Sequence, residues 1–458
     1  MTETPSLINM IKKPTSKVFR RFYVKRRQAN GLFEDTWQEL TQYVKKWGSY
    51  RWAVDTPRFG DLKFSNATIK VLNIDGTFNP NDNDDSFWLT FGDIQRSLVK
   101  IEAGFTHQTL SSGGIWTNTD FPTALTMWTG IISGDIDMDG RGEIALPLRP
   151  ITQIFRDYPA LDIRGFTSTG ISSGGWFSML RDHTDGSGNF VFRPFVGDAT
   201  STDWTIATGG QLYANLNTSS AEDLQNLDCW AVTEKMAQAE QSLAYVNSEG
   251  KFIWQRKTTT ASVQYEFHGM GSRLSERVYG HTIKKINRYG KRLTAFYSRT
   301  AVKYREEDTS TDPPTTYFVN TGLAYTVDGS NTAWNLGHRT FRIDNFWLPN
   351  SAAAASVAGS VFDEVSSQSE ELNFVTTFVP HLNLLDRISV TYDSTDFNTA
   401  KSLWDINDWD TTTGVLPNAL IWDASRGDGI ILNSTNFKIL SINLNVDKME
   451  STFIARQI

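Results

Sequence analysis

Few residues have the types and spacing to do chemistry. Asp135, Asp137 and Asp139, followed by Gly140, match the first half of a calcium loop, where alternate carboxylates and a glycine wrap a hard cation. The match stops there. Leu146 stands where the closing bidentate glutamate belongs, and the flanking residues alternate as strands do, so 135–139 reads as a charged hairpin turn. The stretch 79–85 is as rich in oxygen donors but lacks the glycine a tight wrap needs, and reads as a solvated loop. The six histidines, His107, His183, His268, His281, His338 and His381, stand apart, with neither an HExxH nor a His-x-His pair. His183 lies between Asp182 and Asp185 and beside Ser172, Ser173, Ser178 and Ser187. A hydrolase triad can therefore be drawn, yet no GxSxG elbow accompanies it. The glycine-rich run Ser168 to Trp176 lacks the lysine of a phosphate loop, and nothing selects a carboxylate pair for glycoside hydrolysis. The expectation is a protein that is not an enzyme, with no catalytic, cofactor-binding or metal-ligating residue.

Composition narrows the class further. At 458 residues the chain exceeds one core, and about 100–200 residues per domain suggests two to four domains. The formal net charge is −7, which argues against a nucleic-acid binder with a basic face over a whole domain. In the one basic cluster, Arg20, Arg21, Lys25, Arg26 and Arg27, the residues Arg20 and Arg26 share one strand face with Val18, Phe22 and Val24. The cluster reads as a solvated strand or a subunit contact before a phosphate-binding patch. The single cysteine, Cys229, leaves no disulfide framework and suits a reducing cytosol. No apolar run is long enough for a membrane span and no secretory signal is expected, so no membrane anchor is expected either. Fifteen tryptophans suit sandwiches, barrels and extensive subunit contacts.

The element that organises the chain is a helix and hairpin over 228–257. Asp228 is placed to cap the helix, and Val232, Met236, Ala239 and Leu243 recur at helical spacing on one face. The period changes at Tyr245, Asn247 to Gly250 make a turn, and Phe252 and Trp254 continue as a strand. Before this, 1–17 reads as a polar arm, and Trp37, Leu40 and Val44 as a short amphipathic piece. Strands are expected at Tyr50 and Trp52, at Ala67 to Val71 before an Asp75-Gly76 turn, and over 99–105, 125–132 and 143–148. Residues 158–227 turn to Gly, Ser, Thr and Asp. After them come a strand with Val263, Tyr265 and Phe267 on one face and a boundary near Gly271. A surface loop is expected over 305–318, an alanine-rich helix over 351–365, a strand with Ile388, Val390 and Tyr392 on one face, and a terminal hairpin over 437–458 with its last residue buried. Trp404-Asp405, Trp409-Asp410 and Trp422-Asp423 are too closely spaced for propeller blades and read as a hairpin insertion within 400–432. The fold class expected is mainly β (α+β), with two small β-barrel domains flanking a small α/β helix-and-hairpin domain. The divisions are 1–157, 158–270 and 271–458.

In this order the segments resemble the hub proteins of bacteriophage tails and baseplates. The strand ATIKVLNIDGTF, then MWTGIISGDIDMDGRGEIALPL, is similar to the first hub barrel; AYVNSEGKFIWQR to the hub's small α/β domain; and NLLDRISVTYDS with NFKILSINLNVDKMESTFIARQI to the closing strands of the second barrel. The resemblance implies a structural virion protein, a homotrimer adapting a six-fold tail tube to a three-fold tip. It also implies a distal tail ring above, tip or spike proteins below, and genomic DNA passing through the channel without specific binding. Assembly would be in the host cytoplasm and residence in the virion tail. The competing readings are the distal tail ring protein itself and a β-rich carbohydrate-binding or hydrolysing protein using exposed tryptophans.

Overall fold

The computed structural model describes residues 17–27, 33–54, 60–73, 96–110, 116–120, 124–134, 136–139, 141–163, 173–197, 203–206, 226–256, 259–269, 282–291, 297–308, 310, 315–323, 339–345, 347–348, 350–366, 369–393 and 430–458. The chain is mainly β. Alternating apolar residues in the N-terminal third form β1 (Lys17–Lys25), β2 (Gln38–Glu39), β3 (Val44–Lys46), β4 (Ser49–Val54), β5 (Gly60–Phe64) and β6 (Ala67–Leu72). They are followed by β7 (Leu98–Leu110), β8 (Trp116–Asp120), β9 (Leu125–Ile132), β10 (Asp137–Met138) and β11 (Glu143–Pro150). The main path of the first sheet runs β2-β1-β7-β9-β11-β6-β3. Its two ends are consecutive in the chain, separated only by Leu40 and the 3-10 turn Thr41–Tyr43, so the sheet curls round and closes on itself. Phe22, Val24, Ile69, Val71, Ile101, Ile144 and Leu146 point into this ring and are buried, and Ala67, Ile69 and Val71 share the inner face as their alternation requires.

The amphipathic piece expected around Trp37, Leu40 and Val44 is not a helix. Its backbone is taken up by both neighbours: Tyr23 pairs with Glu39, Val44 with Val71, and the Leu40 N–H donates to the Phe22 carbonyl at 2.8 Å. Closing the ring satisfies these groups and overrides the local period.

Between the rings lie α1 (Thr152–Arg156), α2 (Ser173–Asp182), α3 (Arg193–Val196), β12 (Trp204–Ile206), α4 (Cys229–Ala239), β13 (Ser242–Val246) and β14 (Phe252–Arg256). Asp228 caps α4, its carboxylate accepting the Ala231 N–H at 2.7 Å, and Val232, Met236 and Ala239 are buried along one face. Leu243 lies in β13, not in the helix: the chain reverses at Gln241, whose φ is 56°, and the period changes before Tyr245. Asn247 builds the hairpin turn by accepting the Glu249 and Lys251 N–H groups, and Gly250 supplies φ +84°. The hairpin does not stand alone. Although 49–64 falls within the first ring's segment, β4 and β5 leave that ring, and the second sheet runs β12-β14-β13-β5-β4-β22-β23-β20-β16. Here β20 is Glu370–Thr377, β22 Ile431–Asn445, β23 Glu450–Gln457 and β16 Ile283–Lys291.

The second ring adds β15 (Val263–His268) and β21 (Arg387–Asp393), with β15 on β21 and β21 on β22. Thr282, just before β16, donates its N–H to the His268 carbonyl at 3.0 Å and brings the last strand back to β15. With the two-residue β2 and the off-path β8 and β10 set aside, six strands remain in each ring, and in chain order they are arranged first, fourth, fifth, sixth, third, second. The fourth to fifth, fifth to sixth, sixth to third and third to second neighbours are antiparallel in both rings. The first strand holds the same place but runs antiparallel to the fourth in one ring and parallel to it in the other. Both rings are also interrupted between their second and third strands. The first sends out β4–β5. The second sends out a sheet of β17 (Arg299–Asp308), β18 (Thr315–Leu323) and β19 (Thr340–Asp344), covered by α5 (Ser351–Val365).

The alanine-rich helix occupies the residues its sequence indicates, capped by Asn350 and packed through Ala354, Val357, Ala358 and Val361 on the β17–β19 sheet. Other expectations need correction. Within 305–318, Arg305 to Asp308 pair with Thr315 to Phe318, because antiparallel pairing takes up backbone N–H and C=O groups whatever the side chains carry. Val263 is exposed at the start of β15 although Tyr265 and Phe267 are buried. Ile458 is 57% exposed, since β23 ends before it and only its N–H is held, by the Asn436 carbonyl. Residues 1–16 of the polar arm, the Asp75-Gly76 turn, the loop 79–85, Gly271 and the three Trp-Asp pairs lie outside the described residues.

Candidate functional site

Of the carboxylates singled out by spacing, Asp139 serves a turn. Asp139 Oδ1 accepts the N–H groups of Arg141 and Glu143, both at 2.9 Å, which closes the β10–β11 hairpin. Asp137 stands in β10 opposite Ala145, Asp135 and Gly140 lie outside the described residues, and Leu146 is buried inside the ring. Among the described residues no group of three His, Cys, Asp or Glu side chains is placed to hold a metal ion.

The sequence-drawn triad does not assemble. His183 Nε2 is 2.8 Å from the Tyr158 hydroxyl, and its ring lies against Tyr158 and Phe192. Asp182 is bound by Arg181 and Arg193, whose hydrogen bonds, that of Arg181 foremost, lower its pKa to about 2. Asp185 accepts the backbone N–H groups of Ser187 and Asn189 and caps its own turn. Ser178 lies within α2, and Ser172 is outside the described residues. Cys229 is buried at the start of α4, where desolvation first and the charges of Asp228 and Asp162 second push its thiol pKa up, away from reactivity.

The basic cluster is dispersed into separate contacts. Arg20 reaches the Val446 carbonyl at 2.9 Å and stacks on Trp47, Arg21 lies over Phe19, Arg26 pairs with Glu34 at 2.9 Å, and Arg27 lies over Phe195. Arg20 makes a contact the sequence does not suggest, crossing from the first ring to the second. Beside it, Asp447 in the β22–β23 turn accepts the N–H groups of Trp47 and Gly48 at 2.8 and 3.0 Å. Gly48 has φ +78°, and a Cβ there would meet the Thr68 carbonyl oxygen at 2.7 Å. Tyr50 is fully buried next to this latch, its ring 5.6 Å from Trp128, and burial together with Asp447 raises its pKa. The carboxylate and the glycine are four hundred residues apart, and no local pattern marks them as partners.

Two rings are locked at a joint, one small α/β layer is fused to the second ring's sheet, and that layer's core is largely aromatic. Phe155 stacks on Phe192 at 4.5 Å, Trp204 on Phe252 at 5.3 Å, and Trp176 Nε1 donates to Thr233 Oγ1 at 2.9 Å, pinning α2 to α4. No helix among the described residues is long and apolar enough to cross a membrane.

No family model matches the chain, and no curated protein matches it. Solved structures do, along nearly the whole length. The chain is similar to a 43 kDa tail protein of prophage MuSo2 from Shewanella oneidensis, at 11% identity over 95% of this chain and 98% of that one, with a TM-score of 0.44. It is similar to a tail protein from Neisseria meningitidis, at 9% identity over 96% of both chains and a TM-score of 0.47. A prophage tail protein from Listeria monocytogenes shares 7% identity over 95% of this chain and 94% of that one, with a TM-score of 0.45.

Proposed function

We propose that this chain is a structural subunit of a phage tail, a hub at the tail tip that acts through its shape and not through catalysis. The observation that supports this most directly is the repeated ring. One chain carries the same strand order twice, interrupted each time between the second and third strands. Three chains around an axis would present six similar rings, which is the geometric requirement for joining a six-fold tube to a three-fold tip. On this reading the protein is a homotrimer in the virion tail, assembled in the host cytoplasm, with a distal tail ring above, tip or spike proteins below and DNA running along the axis unbound. A net charge of −7 suits a wall past which phosphates must slide. The working divisions are 1–157, 158–270 and 271–458, with β4–β5 lent by the first to the sheet of the other two.

Light scattering coupled to size-exclusion chromatography tests the proposal. A trimer of the full chain is expected, a hexamer would move the assignment to the distal ring, and a monomer at every concentration and in isolated tails would refute it.

A further inference from the structure

The central hairpin has two faces with different surroundings. Ala244, Val246, Phe252 and Trp254 join the aromatic core beneath α4. Leu243, Tyr245, Ile253 and Gln255 alternate with them and line a cavity of about 370 Å³ at the joint with the second ring. Trp52 and Phe64, cross-strand partners in β4 and β5, form another wall, and the loop from Asn383 to Asp386 faces them. That loop is held in shape: Leu385, a buried non-glycine residue with φ 68°, donates its N–H to the Ile439 carbonyl at 2.9 Å.

The lining selects a class of ligand. Among the described residues no Lys, Arg or His borders the cavity, so an anion would find no counter-charge from them. The one carboxylate among the described lining residues, Asp386, is 9% exposed and its Oδ2 already accepts the Asn383 N–H at 2.7 Å, which is far from the six or more oxygens a hard cation takes. What remains is neutral and mixed. Gln255 Nε2 donates to the Tyr245 hydroxyl at 2.9 Å, leaving the glutamine Oε1 and the tyrosine proton for another partner. Burial, and then the charge of Asp386, raise the Tyr245 pKa to about 12, so the phenol keeps that proton at neutral pH. Donors and acceptors close together beside two aromatic rings match a molecule with a C–H face and a rim of hydroxyls. The volume sits at the lower end of the roughly 300–1,000 Å³ of ligand pockets.

We propose that this cavity binds a neutral saccharide unit of mono- or disaccharide size, with Trp52 and Phe64 against its C–H face and Tyr245, Gln255, Asn383 and Asp386 on its hydroxyls. The proposal is independent of the hub reading, since the whole site lies within one chain. Saturation-transfer NMR and calorimetry on the full-length protein would use glucose, galactose, N-acetylglucosamine and maltose, with glucose 6-phosphate as the charged control. At least one neutral sugar should bind saturably, and glucose 6-phosphate should bind more weakly than glucose. Gln255→Ala and Asp386→Asn should each weaken binding by about tenfold, the loss of one hydrogen-bonded contact, with circular dichroism unchanged. Tyr245→Phe gives the same readout if the Asp386 variant does not fold. Absence of saturable binding by every sugar up to about 50 mM, a concentration that would reveal even very weak complexes, overturns the proposal. So does binding left intact in the folded variants.

Discussion

Single residues in this chain act mainly by satisfying backbone groups far away in sequence. Asp447 does so for Trp47 and Gly48, at the point where the two rings meet. Asp447→Ala leaves both N–H groups to water or to nothing, and the expected loss is about 1 kcal/mol, as one partly exposed hydrogen-bonded contact is worth. Urea midpoints of the variant and the parent give the comparison, and an unchanged midpoint would mean that the latch adds no stability. Asp182 has a different signature. Its pKa is depressed to about 2 by Arg181 and then Arg193, below the unfolded value of about 3.9. Its stabilising contribution is therefore fully present above pH 4 and lost as pH falls through about 2. The side chain is 45% exposed, so solvent screening holds that contribution to roughly 0.5 kcal/mol. The melting temperature of Asp182→Asn should lie below the parent's at pH 7 and meet it near pH 2. Parallel curves over that range would show that the arginine contacts do not form in solution.

At the scale of elements, the central hairpin is supported from one side by α4 and the aromatic cluster. Trp254 is 2% exposed on that face. Trp254→Asp places an unpaired charge there and should cost several kcal/mol, enough to unfold the α/β layer. A soluble variant that melts with the parent would mean that Trp254 is not in the core. The residues over 125–132 and 351–365 could be read directly, because their periodicity, bounding turns and caps are local and agree with their packing. Where reading failed, a distant partner had overridden the local signal. Leu243 continues a helical spacing but belongs to a strand paired with β14 and β5. Gly174 and Gly175 look like breakers, yet they lie in α2, whose Trp176 is anchored on Thr233. The cavity beside Tyr245 leaves no mark in the sequence because its walls come from the β4–β5 pair, the β13–β14 hairpin and the loop before β21, which are far apart along the chain.

At the scale of the molecule, the joint decides whether the chain behaves as beads or as one body. The buried residues of the two rings form a single apolar cluster, reaching from Phe22, Ile101 and Trp128 to Phe267, Phe374 and Phe453. Trp47, Tyr50 and Trp52 belong to it, on and just before the strand β4 that pairs with β22. Strand β22 ties the second ring to the joint, pairing with β21 along its first part and with β4 near its end while β23 runs beside it. A core shared in this way makes the opening of either ring expose the other's side chains, so separate unfolding of the rings is penalised. Equilibrium unfolding in urea should show one transition, coincident by tryptophan fluorescence and circular dichroism, since Trp128 reports from the first ring, Trp52 from the joint with the second and Trp176 from the layer between them, while circular dichroism reports on every strand. The slowest-exchanging amides should fall in β22 between Ile439 and Leu444. Two resolved transitions, or faster exchange there than in β9, would mean that each ring folds alone and that the Asp447 joint merely brings them side by side.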